Sequence, residues 1–327
     1  MTRRSVLHFI GVLIAASRLP ANAQRSAIPL IGFLNSANAS QWAPFVTSFK
    51  QGLKDSGYSD AQDAIIEFRW ADGDNEKLPG LAAELVARGV AVLVVSGGTP
   101  PILAARKASE TMPVVFMTGD DPVEVGFVPS MDRPGGNMTG VTIFRVALGA
   151  EPLRLLRELV SPGGVIGVLV STINPGSDAH GRNIEQAARA AGQEIVVARA
   201  AGSAELDDAV ASLSRQAIRA LIVTVSPLFI SQRDRLVALA ACYRLPTIYP
   251  VRSFVEAGGL ISYGANLLAA YRELGIQTAQ VLSGVSPAEL AVRQSMKSEL
   301  VINRSTAKAL GLTVPQTLLA QADKVIE

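Results

Sequence analysis

The stretch Val92–Glu110, VLVVSGGTPPILAARKASE, decides how the rest of the chain is read. Its opening run is continuously apolar, as in a strand covered on both faces. Gly97 and Gly98 stop the run. Thr99 with Pro100 then reads as an N-cap followed by proline in the first helical position. ILAARKASE carries helical spacing. A strand, a short loop and a helix make half of a β-α-β unit, and such units build parallel sheets with helices on both faces.

Outward from this stretch the alternation continues. IPLIGFL (Ile28–Leu34) reads as a strand. WAPFVTSFKQGLKDSGY reads as a helix with Phe45, Phe49 and Leu53 on one face and Gly57 as its stop. AIIEFRW is a strand, LPGLAAELVARG a helix and MPVVFM a strand. Then the series repeats: strand VIGVLV (Val165–Val170), helix GRNIEQAARAAG, strand EIVVARA, helix ELDDAVASLSRQ, strand RALIVTV, helix SQRDRLVALAACYR and strand LPTIYP. Leu34 to Gly57 is 23 residues, and Val170 to Gly192 is 22. Gly57 to Pro113 is 56, and Gly192 to Pro246 is 54. The series end alike, in Val123–Gly126 (VEVG) and Val255–Gly258 (VEAG). This shared register predicts two similar lobes.

The tail is too short for a third core. It holds LISYGAN, the helix AYRELGIQTAQVLSG, a short strand around Leu300–Ile302 and the helix STAKALG. It is expected to return and complete both lobes, with crossings near Val141–Leu148 and Gly259–Ala265. The expected fold is α/β: two similar doubly wound parallel-sheet lobes, a multi-crossing hinge, and a ligand cleft between them. Residues 24–142 plus about 259–284 are assigned to the N-terminal lobe, and 143–258 plus about 285–327 to the C-terminal lobe. Ligands of such sheets bind beyond the carboxyl ends of the strands.

Of 327 residues, 49% are hydrophobic and 18% charged, enough to bury substantial cores. Residues 1–23 read as a cleaved signal peptide: Arg3 and Arg4, the apolar run Val6–Ala16, then Ala21-Asn22-Ala23 as cleavage site. TRRSVL resembles the twin-arginine signal, so either that route or the general secretory route would serve. The next residue is Gln24, which offers no lipid anchor. Three of the 30 basic residues lie in this segment, leaving 27 against 28 acidic ones. That balance favours neither nucleic acid nor an anionic membrane as partner. A periplasmic protein is expected.

Motifs for chemistry are missing. Cys242 is the only cysteine, on what reads as a buried helix face, and His180 is the only histidine beyond the signal segment. Neither a zinc set nor a Ser–His–Asp triad with its G-x-S-x-G elbow can be assembled. SGGTPP lacks the lysine of a phosphate-binding loop. No metal or cofactor is expected. The strand-end loops NSANAS, SGGTPP, TGDDPVEVG, STINPGS, VSPLF and PVRSF are rich in small polar residues. A helix start at Thr99 would offer backbone N–H groups to a carboxylate. Of Asp120 and Asp121, one is expected to cap the turn at Pro122 and the other to meet a cation, a ligand amine or solvent.

The order GTP, ARKASETMPVVF, GDDPVEVG, RPGGNMTGVT, LLRELV, NPGS, LPTIYPVRSF and GGLISYG, with the tail ELVINRSTAKALGLTVPQTLLAQADKVIE, resembles the ABC-transporter substrate-binding proteins that include tryptophan- and tyrosine-binding members. The resemblance implies a type I periplasmic-binding fold. It also implies a non-catalytic receptor that traps an amino acid or an aromatic or branched carboxylate for an inner-membrane permease and its ATPase. It places ligand contacts at Asn35, Ser36, Ser96, Gly97, Gly98, Thr99, Gly119, Asp120, Asp121, Asn174, Ser226 and Arg252. Trp42, Phe229 and Phe254 could stack on a ligand ring or pack beneath the loops. Two rival readings stay open on sequence: a ligand sensor serving a receptor, and a small-acid enzyme on the same scaffold.

Overall fold

The computed structural model describes residues 28–59, 62–143, 151–160, 163–294 and 298–327. The expected signal peptide and residues 144–148 of the first expected crossing lie outside them.

The first series forms β1 (Leu30–Asn35), α1 (Ala39–Asp55), β2 (Ile65–Trp70), α2 (Leu78–Ala87), β3 (Val92–Ser96), α3 (Thr99–Ala108), β4 (Val114–Thr118) and β5 (Met138–Thr142). The second forms α4 (Glu151–Leu159), β6 (Ile166–Ser171), α5 (Pro175–Ala190), β7 (Ile195–Ala200), α6 (Leu206–Arg215), β8 (Ala220–Val223), α7 (Pro227–Ser231), α8 (Arg233–Cys242), β9 (Thr247–Tyr249), α9 (Arg252–Glu256) and β10 (Ile261–Ala265). The tail adds α10 (Leu267–Leu282), β11 (Arg293–Gln294), β12 (Ser298–Asn303), α11 (Arg304–Ala309), α12 (Gln316–Gln321) and β13 (Lys324–Ile326).

One sheet has the order β11-β5-β4-β3-β1-β2 and the other β13-β12-β10-β9-β8-β6-β7. The runs β5-β4-β3-β1-β2 and β10-β9-β8-β6-β7 are the same topology built twice, which is the physical content of the sequence register. Pairing is parallel except between β10 and β12. Strand side chains alternate between two buried layers. In β3, Val92 and Val94 enter one apolar cluster, and Leu93 and Val95 enter another. Continuous apolar strands are what a sheet covered on both faces requires.

The chain crossings differ from expectation. Residues 138–142 form a buried strand beside β4, so of the first expected crossing Val141 and Thr142 still belong to the first sheet. Ile261–Ala265 is a strand of the second sheet, so the chain leaves that lobe after Ala265 and not at Gly259. Helix α10 then packs on α1, and β11 pairs with β5, which carries the returned segment past residue 284 to Gln294. One residue, Asn266, separates β10 from α10, too short a link for composition to mark. Helices α1 and α10 meet backbone to backbone. A Cβ on Gly52 would overlap the Arg272 carbonyl oxygen, and one on Gly275 that of Phe49.

Cys242 is exposed, against the expectation of a buried thiol. Helix α8 buries Leu236, Val237 and Ala240. Two residues beyond Ala240 is about 200° around the helix, which turns Cys242 to solvent. The folded protein is therefore expected to react fully with one equivalent of a maleimide, read by intact mass. Labelling only after denaturation would contradict this placement.

Candidate ligand-binding site

The shared topology fixes where a ligand can enter. In each sheet the order reverses beside one strand, β1 between β2 and β3, and β6 between β7 and β8. The loops after these strands diverge and leave a crevice at their carboxyl ends. The two crevices face each other and enclose a cavity of about 340 Å³. The first lobe contributes residues 36–38 after β1, 72–75 after β2, and Gly97, Gly98 and Pro100 after β3. The second contributes Ile173 and Asn174 after β6, residues 201–203 after β7, and residues 226–228, Ser231 and Gln232 around α7. The size falls at the small end of the roughly 300–1,000 Å³ typical of small-molecule sites.

Three long helices begin on this wall. Asn38 caps α1 by accepting from Gln41 N–H, and Asn174 caps α5 by accepting from Gly176 N–H. Helix α3 starts one residue earlier than expected. Its N-cap is Gly98, with no side-chain cap, and Thr99 is already helical. Thr99 therefore does not cap. Its buried hydroxyl donates to Asp120 Oδ2 instead. Helix starts carry partial positive charge, but few of their N–H groups are free here. Pro100, Pro101 and Pro175 have none, and those of Gly176, Ser177 and Asp178 are taken by Asn174. Side-chain charge on the wall is of the opposite sign: Asp72 and Asp74 line it, and among the described residues no Arg, Lys or His does. Pro100, Ile173, Pro227 and Leu228 supply apolar surface.

Asp120 sits behind the wall at the lobe boundary. A Cβ on Gly176 of the second lobe would overlap its Oδ1, and a Cβ on Gly98 would lie 3.3 Å from Pro227 Cγ. The lobes are thus in contact across the cavity. Burial raises the Asp120 pKa, while hydrogen bonds from Thr99 and Thr118 partly oppose the rise. The raised value means the folded state holds this proton more tightly than the unfolded one. Its contribution to stability is then fully present below the ordinary value of 3.8 and lost as pH rises through the raised one. Asp120→Asn keeps an acceptor for Thr99 and cannot ionise. It is expected to melt above the parent at neutral pH, with the gap closing toward about pH 4. A constant gap in thermal melts across that range would contradict this.

Of the expected contacts, Ser36, Gly97, Gly98, Asn174 and Ser226 line the cavity. Asn35 and Ser96 lie beneath it. Asn35 Nδ2 donates to Ser96 Oγ at 2.7 Å, and Asn35 Oδ1 accepts from Ala37 N–H. The Tyr271 hydroxyl joins Ser96 and accepts from Trp42 Nε1 at 2.6 Å; burial holds its pKa at about 12. Gly119 and Asp120 stand behind the wall. Asp121 caps its own turn, accepting from the N–H groups of Val123 and Glu124. Arg252 lies elsewhere, paired with Glu256 and Glu299 and lining a separate cavity. Trp42, Phe229 and Phe254 are all buried, Phe254 stacked on Tyr249, so packing takes all three. Sequence reading missed residues 72–75 and 201–203. Each follows the outermost strand of the shared pattern, and ADGDN after AIIEFRW was the available turn signal.

The residues 41–326 match the model of the family described as ABC transporter substrate binding protein. The chain is similar to the tyrosine-binding protein of Clostridioides difficile, 27% identical over 81% of this chain and 75% of the relative. It is also similar to the ABC domain solved in complex with L-Trp from Streptococcus pneumoniae. That likeness has a TM-score of 0.84 and 26% identity, over 92% of this chain and all of the other. The ligand-free, open structure of a Clostridium difficile substrate-binding protein with adhesive properties superposes with a TM-score of 0.66 at 23% identity, over 91% of this chain and 99% of the other. The proteins of this family bind substrates and do not turn them over. With two switch-point crevices enclosing one cavity, and a family match across most of its length, the chain belongs to the ABC transporter substrate-binding proteins.

Proposed function

We propose that the chain is the periplasmic solute receptor of an ABC importer. It traps a small zwitterion, an amino acid, between its lobes and delivers it to an inner-membrane permease and ATPase. One observation carries this reading: the starts of α1, α3 and α5 converge on a cavity whose charged side chains, among the described residues, are carboxylates. A ligand carboxylate is matched by the positive ends of these helices, and a ligand ammonium by the aspartates. The tyrosine and L-Trp named for the relatives have this zwitterionic head in common. Ser36, Gly97, Gly98, Asn174 and Ser226 are proposed as wall contacts, with Thr99 and Asp120 as the support behind them. Ligand that touches both lobes stabilises the closed state over any open one, and the closed state is the form a permease would distinguish.

The test begins with protein stripped of bound solute by unfolding and refolding. An amino-acid ligand at a hundred times its Kd should add about 2.7 kcal/mol of stability. Thermal melts across the amino acids read this directly, and a panel with no shift would refute the ligand. Loss of uptake of the same amino acid in cells lacking the chain separates transport from sensing. Periplasmic protein is expected to begin at Gln24, and N-terminal sequencing that returns Met1 would overturn the export reading.

A further inference from the structure

From the charge and shape of the cavity, we infer that this receptor selects an amino acid with a cationic side chain rather than an aromatic one. The inference rests on the zwitterion site proposed above and names its ligand class. Among the described residues no aromatic ring lines the cavity; Trp42, Phe45, Phe229 and Phe254 are buried in the core. A planar side chain would find only Ile173, Leu228 and two prolines against it. A zwitterion uses one carboxylate for its ammonium, and the wall carries two, with no cationic side chain among the described lining residues.

Asp72 is the carboxylate left over. Asp74 already accepts from Glu76 N–H and lies 3.8 Å from Lys77. The Asp72 carboxylate has no hydrogen bond or ion pair among the described residues. Its loop is nevertheless fixed in place. Asp72 N–H donates to the Ala37 carbonyl at 3.2 Å, and Gly73 N–H to that of Ser36 at 2.7 Å. A charge held on a fixed wall without an ion-pair partner among the described residues is a receptor for a second positive charge.

The variant for the test is Asp72→Asn. Asp72 has a φ of 54°, a backbone region that asparagine tolerates as well as aspartate. The loop should therefore survive while the charge is lost. Isothermal titration of stripped protein would compare L-arginine, L-lysine and L-ornithine with L-tryptophan, L-tyrosine and L-leucine. We expect at least one basic amino acid to bind tenfold or more tightly than every neutral one. Asp72→Asn should weaken that ligand by about tenfold and leave neutral amino acids within about threefold. Because Asp72 is exposed, high salt should narrow the preference. Equal or tighter binding of tryptophan or tyrosine overturns the inference and leaves the receptor reading intact, as does an unchanged preference in Asp72→Asn. Binding of no amino acid at all overturns both.

Discussion

Replacing Gly176 by alanine is expected to weaken ligand binding by roughly 5- to 150-fold while leaving the unliganded protein as stable as before, or more so. The two effects have different origins. Gly176 lies in the first turn of α5, and its Cβ position is occupied by Asp120 Oδ1 of the opposite lobe. To admit a methyl group, Asp120 must abandon the Thr99 hydroxyl or the lobes must stay apart. Overpacking of this kind costs typically 1–3 kcal/mol, and here the cost falls only on the closed state. With the lobes open only Asn174 Oδ1 of the same helix start remains beside it, at an ordinary contact distance of 3.6 Å, and alanine is the better helix former by up to about 1 kcal/mol. Calorimetric titration and thermal melts on the same variant read the two parts. A melt that rises while affinity stays unchanged would mean that closure does not bring Asp120 onto α5.

The second large effect is on stability. Gly275→Ala should destabilise the fold by about 3 kcal/mol and lower the melting temperature by at least about 6 °C. At Gly275 the obstacle is the Phe49 carbonyl oxygen with Leu53 N and Gly52 Cα beside it, all backbone. A side chain can rotate away from a new methyl group, but two helices can only move apart. Separating them would strain what α10 anchors: the Ser48 hydroxyl to Leu268 O at 2.6 Å, and the Trp42–Tyr271 pair under the cavity floor. Gly52→Ala meets the same junction from the other side and should behave alike. A change below about 1 kcal/mol in either variant would show that the helices repack without cost.

Both lobes could be read from the sequence because their strands are buried on two faces. That makes VLVV and VIGVLV continuous apolar runs, and the helices between them are long enough to show a period. The elements that escaped are those where tertiary contacts override local pattern. MTGVT carries two threonines and a glycine and looks like loop, yet it is a buried strand whose Thr139 hydroxyl donates to the Leu290 carbonyl. PLFIS and RSFVE form helices of five residues, below the length at which a period is visible. At the site, the loops at the switch points were found because glycine, serine and asparagine cluster there. Thr99 was misassigned by one position because Gly98 takes the cap and frees the hydroxyl for Asp120. Arg252 was placed by resemblance, and nothing local reveals that Glu299, 47 residues away, holds it elsewhere.

The central claim is that one solute is held by both lobes at once, at the carboxyl ends of matching strands. Hydrogen exchange tests it most directly, comparing stripped protein with protein titrated by the solute that accompanies it from its own cells. The account predicts protection of residues 36–38 and 97–100 in the first lobe, and of residues 173–176 and 226–228 in the second, rising together with a single midpoint. Protection confined to one lobe, or two midpoints that differ, would contradict it.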